Sequence, residues 1–336
     1  EADPQAQFFL SWVWLSKWLE VLEEPWFILA AKLSNHASEY VAFFPLKITI
    51  NQQDGGDFYT ELYMAGNSQS EYTGFICLPG YEEEVTTAFA EYIKQQLTWS
   101  AFNLQDILET DKRICLFLKS FSGDSFESST LCFQNPEDNI DNYICPYIPL
   151  ADEWDQYLQN SLGTSTRQKI RHLLRKIEGS NEFYITHVNV DNLEHHIEIL
   201  LKFWQTRWQS SKGAACRVLM ERDRDILRHC FANQCLYLPV LWKGDTPIGA
   251  IANFIDVSRK AILFYMGSRD ETVKNPPPGL VLHAYGIQYA IQNGFKVYDF
   301  LRGNEDYKFA FGAKERRIKH IVVKRKNWTS QNRKLD

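Results

Sequence analysis

The densest run of reactive side chains is Asp299-Phe300-Leu301-Arg302-Gly303-Asn304-Glu305-Asp306-Tyr307-Lys308. Carboxylates and phenols move protons when their surroundings tune them, and cations stabilise developing negative charge. The set suits acid–base chemistry on a carbonyl-bearing or anionic substrate. A plainer reading is a loop entering a helix, with Asn304 as N-cap and Glu305 and Asp306 in the first turn, where the helix dipole favours acids. That reading does not explain why Asp299 and Arg302 stand so close to the end of a buried-looking strand, which is where α/β sheets place ligands.

The connection from Ser268 to Pro278 leads into the helix expected over Leu280–Gln292. A helix N-terminus offers free N–H groups and a positive dipole end, which suit phosphate, and Gly279 would let a ligand approach. Pro276, Pro277 and Pro278 remove three donors, so a rigid surface loop is an equal reading. Ser268, Gly279 and Leu280 are the candidate cofactor contacts here. On a further helix, Ile170, Leu173, Leu174 and Ile177 form an apolar face, and Arg167, Arg171 and Arg175 repeat at steps of four. Such a stripe would hold an anionic substrate by bidentate contacts, or simply face solvent. The run from Lys314 to Lys334, with nine Lys+Arg and one Glu, carries the same two readings.

Other chemistries lack support. There is no P-loop, G-x-G-x-x-G, G-x-S-x-G or H-E-x-x-H pattern. Seven cysteines, an odd number without C-x-x-C, read as reduced thiols of a cytoplasmic protein. No spacing suggests a metal site, and the adjacent His195 and His196 would point about 100° apart on a helix. No apolar run approaches the length of a membrane span. Charge is uneven: residues 1–150 hold 7 Lys+Arg and 22 Asp+Glu, whereas residues 151–336 hold 29 and 20. The acidic half is a poor partner for a polyanion and the basic half a better one.

Periodicity places these groups on elements. The first half reads as a helix over Ser11–Leu22, strands over Trp26–Leu33, Tyr40–Ile48 and Tyr59–Met64, a turn at Asp54-Gly55-Gly56, a helix over Glu82–Gln96 and a strand over Phe102–Ile107. The second reads as helices over His196–Trp208 and Asp223–Asn233, strands over Cys235–Trp242, Ile248–Asp256 and Lys260–Gly267, the helix over Leu280–Gln292, and strands over Lys296–Leu301 and Ile318–Lys324. Each half runs helix, three strands, helix, strand, which predicts a duplicated α/β unit with residues 120–165 as linker.

The stretch Tyr298–Ala313 resembles the signature of the CelD/BcsL branch of the GNAT acyltransferases, associated with cellulose and exopolysaccharide biosynthesis. Leu263–Gly267, Pro278-Gly279-Leu280 and Ser165–Arg175 fit that branch too, and Tyr72–Gly80 is a looser match. FemAB-type transferases are a related two-domain group. The resemblance implies an α/β fold of two tandem GNAT-like domains, a degenerate one over 1–150 and a catalytic one over 151–336. It implies transfer of an acyl group, acetyl by expectation, from acyl-CoA to an amine or hydroxyl of a small-molecule, sugar or polysaccharide-precursor acceptor, without metal, DNA or a transmembrane segment. In it Asp299 or Glu305 would be the base, Tyr307 the acid for the leaving thiolate, and Arg302 and Lys308 the groups that hold anionic substrate or stabilise charge. The end of the Leu263–Gly267 strand would stabilise the oxyanion, with Tyr265, Met266 and Gly267 among the cofactor contacts. The family's pyrophosphate loop, Q/R-x-x-G-x-G/A, is replaced by Ser268–Gly279. That departure keeps two alternatives open: FemAB-like use of aminoacyl-tRNA, and a non-catalytic ligand-binding protein.

Overall fold

A computed structural model describes residues 2–52, 56, 58–66, 69–131, 134–135 and 139–326. The expected turn at Asp54-Gly55, Cys132 and the end of the basic run beyond Lys326 lie outside the described residues. The chain forms two α/β units, 1–144 with 316–336, and 145–315.

In the first unit, α1 (Trp12–Glu20) precedes β1 (Trp26–Lys32), β2 (Tyr40–Gln52), β3 (Phe58–Met64) and β4 (Ile76–Cys77). There follow α2 (Glu82–Gln96), β5 (Ala101–Leu108), α3 (Lys112–Lys119) and β6 (Phe126–Leu131). The sheet order is β1-β2-β3-β5, then Ile318–Arg325, then β6. β3 and β5 are parallel, and the remaining pairs are antiparallel. Phe44, Leu62, Phe102 and Phe117 alternate or recur toward one core, which the α2 stripe Val85, Phe89 and Ile93 closes.

The second unit contains β7 (Tyr147–Pro149), α4 (Trp154–Ser161), α5 (Thr164–Glu178), β8 (Phe183–His187), α6 (Leu193–Lys212) and α7 (Ala215–Ala232). It continues with β9 (Leu236–Tyr237), β10 (Pro239–Lys243), β11 (Thr246–Asp256), β12 (Ala261–Arg269), α8 (Pro278–Gln292), β13 (Val297–Asp299) and the short α9 (Asp306–Ala310). Its order is β8-β10-β11-β12-β13-β7, with only β12 and β13 parallel among these neighbours.

The duplicated plan is visible in this topology. An antiparallel meander of three strands, β1-β2-β3 or β10-β11-β12, meets a parallel fourth, and an antiparallel fifth lies beyond it in both sheets, with β8 an additional edge strand of the second. The fifth strand is where the expected boundaries change. Ile318–Arg325 forms as a strand, but it pairs with β5 in the first unit rather than completing the second. The crossing between the units falls within residues 120–165, at 144/145, but the zone is structured: it supplies β6 to one sheet and β7 to the other, followed by α4. The charge moves with that strand. Residues 145–315 hold 21 Lys+Arg and 19 Asp+Glu, a net +2, so the strongly basic second half is not a property of the second unit.

Candidate active site

β12 and β13 run side by side only through Ala261↔Val297, Ile262↔Tyr298 and Leu263↔Asp299. β12 continues to Arg269 while β13 stops, so its edge from Phe264 onward has left its strand partner. On its other side β12 carries a bulge: Ala252 pairs with Met266 and Asn253 with Phe264, leaving Tyr265 as the extra residue. A bulge bends the strand and strengthens the local twist, which parts β12 from β13. The opening lies at the carboxyl ends of two parallel strands. The first unit closes the equivalent place. There β3 and β5 part after Tyr63↔Asn103, and Thr73 bridges to Ile107, with its N–H donating to the Asp106 carbonyl at 3.0 Å.

Apolar and polar groups line the second unit's opening from the α8 side. His283 is buried, the one ionisable group on an otherwise apolar helix face. Its ring lies edge-on to Phe264 at 4.6 Å and 5.3 Å from the rings of Phe300 and Tyr307. The Tyr298 hydroxyl donates to Asn253 Oδ1 at 3.2 Å and lies 3.1 Å from His283 Nδ1. With the tyrosine proton on Asn253, His283 donates from Nδ1. Burial, then the charges of Lys308 and Arg269, pull the His283 pKa down to about 3, so the ring is neutral. Sequence reasoning missed this residue, although an ionisable side chain inside an apolar stripe is a legible signal.

The segment after β13 is a tight turn whose Asp299 and Lys308 bind its own backbone. Asp299 is 2% exposed, and its Oδ1 accepts from the Leu301 N–H at 2.9 Å. Leu301 has φ +56° and Gly303 φ +99°. A Cβ on Gly303 would stand 2.6 Å from Glu305 Oε2, so only glycine fits. Lys308, expected to meet substrate, is instead 2% exposed. Its Nζ donates to the carbonyls of Arg302 at 2.8 Å and Gly303 at 2.9 Å, and lies 2.9 Å from Glu305 Oε2. A buried ammonium needs such partners, and they consume it. Arg302 and Glu305 thus sit on one clamped turn. Tyr307 stands beyond it at the rim, 40% exposed; burial of its ring, then the Glu305 carboxylate, raise the pKa of its hydroxyl, so the phenol keeps its proton.

At the top of α8, Pro277 is the N-cap and Pro278 the first helical residue, and the Val281 N–H already donates to the Pro277 carbonyl. Gly279 and Leu280 keep their amides at the helix start. A Cβ on Gly279 would lie 2.9 Å from Arg269 Nη1, which places that guanidinium across the first turn. Lys176 Nζ reaches Asn275 Oδ1 at 3.3 Å in the lead-in. The cations at this anion-suited end are therefore Arg269 and Lys176, neither singled out from sequence. The arginine stripe of α5 points elsewhere: Arg171 donates to Asp155 at 2.7 Å and Arg175 to the Arg171 carbonyl at 3.2 Å, while Arg167 stays half-buried. Of the β12 candidates, Met266 is buried, and the buried Ser268 hydroxyl has no hydrogen-bond partner among the described residues. A Cβ on Gly267 would meet Ile251 at 2.9 Å. Tyr265 faces away from α8, its hydroxyl 2.9 Å from Asp223 Oδ1. Among the described residues no three His, Cys, Asp or Glu cluster as metal ligands, and no helix is long and apolar enough to cross a membrane.

Residues 164–309 match the family model of an acetyltransferase (GNAT) domain. Comparison with curated protein sequences finds no match. Among solved structures, FemX is similar over 95% of this chain and 92% of its own, with a TM-score of 0.64 at 12% identity. A conserved protein of unknown function from Bacteroides thetaiotaomicron covers 95% and 91% at TM-score 0.54 and 11% identity. L-PGS from Bacillus licheniformis covers 87% and 83% at TM-score 0.51 and 11% identity. At such identities the likeness is one of fold. Residues 164–309 therefore match a GNAT-like acetyltransferase domain, within a mixed α/β chain of two units with similar sheet topology.

Proposed function

We propose that the second unit is an acyltransferase that holds an acyl thioester in the opening between β12 and β13. The single observation that carries this is the parting of the two strands beside the Tyr265 bulge, with the stretch of β12 that runs on past β13 on one lip and the clamped 299–308 turn on the other. An acyl carbonyl lying against the β12 edge would meet backbone N–H groups, which stabilise the oxyanion as a nucleophile attacks. Collapse of that intermediate breaks the C–S bond, and the thiolate needs a proton. Tyr307, protonated and at the rim, is placed to give it. The proton lost by the nucleophile passes through water to Glu305, whose side chain is 39% exposed. Asp299, Lys308 and Arg302 shape the turn. Ser268 offers its unpaired hydroxyl to the donor's chain, and Met266, Gly267 and Leu280 line its path.

Acyl-CoA is the proposed donor, its phosphates meeting the Gly279 and Leu280 amides with Arg269 and Lys176. The first unit, whose opening its own Thr73 occupies, is proposed as the degenerate partner. The resemblance to the CelD/BcsL branch makes a sugar or polysaccharide precursor the proposed acceptor. A second reading, an aminoacyl-tRNA donor, is favoured by the three prolines that thin the phosphate-binding amides and by the fold likeness to FemX. Thermal unfolding with acetyl-CoA, CoA and a charged tRNA separates the two. A donor at one hundred times its Kd adds about 2.7 kcal/mol. Stabilisation by acetyl-CoA supports the first reading, stabilisation by the tRNA alone supports the second, and none with either refutes both.

A further inference from the structure

Phe264 is the first residue of β12 beyond its last pair with β13, Leu263↔Asp299, and Phe300 is the first beyond Asp299. The His283 ring stands 4.6 Å from the Phe264 ring and 5.3 Å from the Phe300 ring, so the imidazole spans both lips of the opening from the α8 side. Leucine would serve packing on this apolar helix face, and an imidazole costs desolvation there. Buried partners fix which of its nitrogens carries the proton. The Tyr237 carbonyl can only accept, so Asn253 turns its amide nitrogen to it at 3.3 Å and its Oδ1 to Tyr298. The Tyr298 hydroxyl gives its single proton to that oxygen, and His283 Nδ1 donates to the phenol oxygen at 3.1 Å. Gly286, one turn along α8, admits the phenol: a Cβ there would stand 3.3 Å from its oxygen. The ring is neutral, so a proton on Nδ1 leaves Nε2 as a bare lone pair. Among the described residues Nε2 has no hydrogen-bond partner, yet it is not among the atoms sealed from solvent without one. His283 is only 4% exposed, so that access is narrow.

We propose that His283 is a positioning residue whose Nε2 accepts a hydrogen bond from an amide N–H of the donor, two carbons from its sulfur, and so selects a thioester on an amide-bearing arm over an ester. The inference rests on the acyltransferase reading above and deepens it by naming what the site reads in the donor. The rings of His283 and Tyr307 stand 5.3 Å apart, so a sulfur beside Tyr307 brings the first amide of a CoA arm alongside the imidazole. An aminoacyl ester on ribose has no amide at that distance. The relay from the Tyr237 carbonyl through Asn253 and Tyr298 sets the sense of the contact: Nε2 accepts an N–H and gives nothing to a carbonyl or ester oxygen in its place. A buried acceptor left empty costs about 1–3 kcal/mol, which the amide N–H of the arm removes and an ester oxygen does not.

The test reads the imidazole nitrogens of the intact protein, labelled with nitrogen-15 histidine, in long-range proton–nitrogen spectra at neutral pH. His283→Gln, or contacts between its ring protons and those of Phe264, assigns the resonance among the 8 histidines. The expected free state has a proton on Nδ1 and none on Nε2. Saturating acetyl-CoA should move the Nε2 resonance toward the protonated range, as an accepted hydrogen bond does. S-acetyl-N-acetylcysteamine, a thioester with that one amide and no phosphate, should move it likewise, and its ester isostere S-acetyl-2-acetoxyethanethiol should not. Tyr298→Phe removes the oxygen that holds the Nδ1 proton, so it should release the proton to Nε2 and raise the acetyl-CoA Kd about three- to tenfold. His283→Phe should raise the Kd by a similar factor with the salt dependence of binding unchanged, because no phosphate contact is lost. A free-state proton on Nε2, or equal shifts with the amide and its isostere, overturns the proposal. Calorimetry shows whether acetyl-CoA binds. No binding overturns the donor assignment and this inference with it, whereas binding without the Nε2 shift overturns this inference alone. Should the variants not fold, the spectra of the native protein decide.

Discussion

Replacing Lys308 by Met separates a structural ammonium from a catalytic one. Met keeps the unbranched apolar stem in its packed position and removes the charge. What remains is the carbonyls of Arg302 and Gly303, which lose donors at 2.8 and 2.9 Å, and a Glu305 carboxylate whose counter-ion stood at 2.9 Å. Each hydrogen bond from a charged group is worth about 1.5–3 kcal/mol, and removing one partner of a buried pair costs about 3–5 kcal/mol. Water reaches Glu305, so the total should sit near that second figure, about 3–5 kcal/mol. For a unit of this size that lowers the melting temperature by roughly 6–20 °C. Calorimetry of the intact protein would resolve the loss in the second unit, and Gly303→Ala, which drives a Cβ into Glu305, should act in the same direction. A Lys308→Met protein that melts within about 2 °C of the native one yet transfers no acyl group would refute the structural assignment and return Lys308 to the chemistry.

Acid should weaken the second unit through His283. Its folded pKa of about 3 lies below the usual 6.5, so the unfolded chain binds a proton that the folded one refuses. Stability is then complete above pH 6.5 and falls by about 1.4 kcal/mol per pH unit as pH drops toward 3. His196, pulled down to about 4 mainly by burial, adds a similar slope to about pH 4. Urea unfolding between pH 7 and 4.5 should show a shallower slope in His283→Gln than in the native protein, and equal slopes would contradict the buried neutral ring. Arg269→Gln removes the guanidinium that lies across the start of α8. The acetyl-CoA Kd should rise about tenfold or more, with a weaker dependence on salt, and an unchanged Kd in a titration calorimeter would exclude Arg269 from the phosphate site.

Much of the second unit was legible because its signals are local. The i, i+3, i+4, i+7 pattern of Ile170, Leu173, Leu174 and Ile177 marks α5, and the apolar run of α8 between Pro278 and Asn293 marks its ends. The strands flanking α8 follow from the same short-range patterns. Sheet membership was not legible. Ile318–Arg325 reads as a short strand from its Ile and Val residues, and nothing within it says that β5, some two hundred residues earlier, is its partner rather than β13. Tyr147–Pro149 is too short to announce itself at all. The same limit applies to the candidate site. Asp299, Glu305, Tyr307 and Lys308 are adjacent in sequence and were found together, but which of them is spent on the turn depends on burial. His283 and Arg269 come from separate elements, and only the fold shows their neighbours.

The most direct measurement is a crystal structure of the intact protein with a hydrolysis-resistant acetyl-CoA analogue. The account predicts the acyl carbonyl against the β12 edge near Tyr265 and Met266, the phosphates at Gly279 and Arg269, and Tyr307 beside the sulfur position. A carbonyl outside the space between β12 and the 299–308 turn would contradict it.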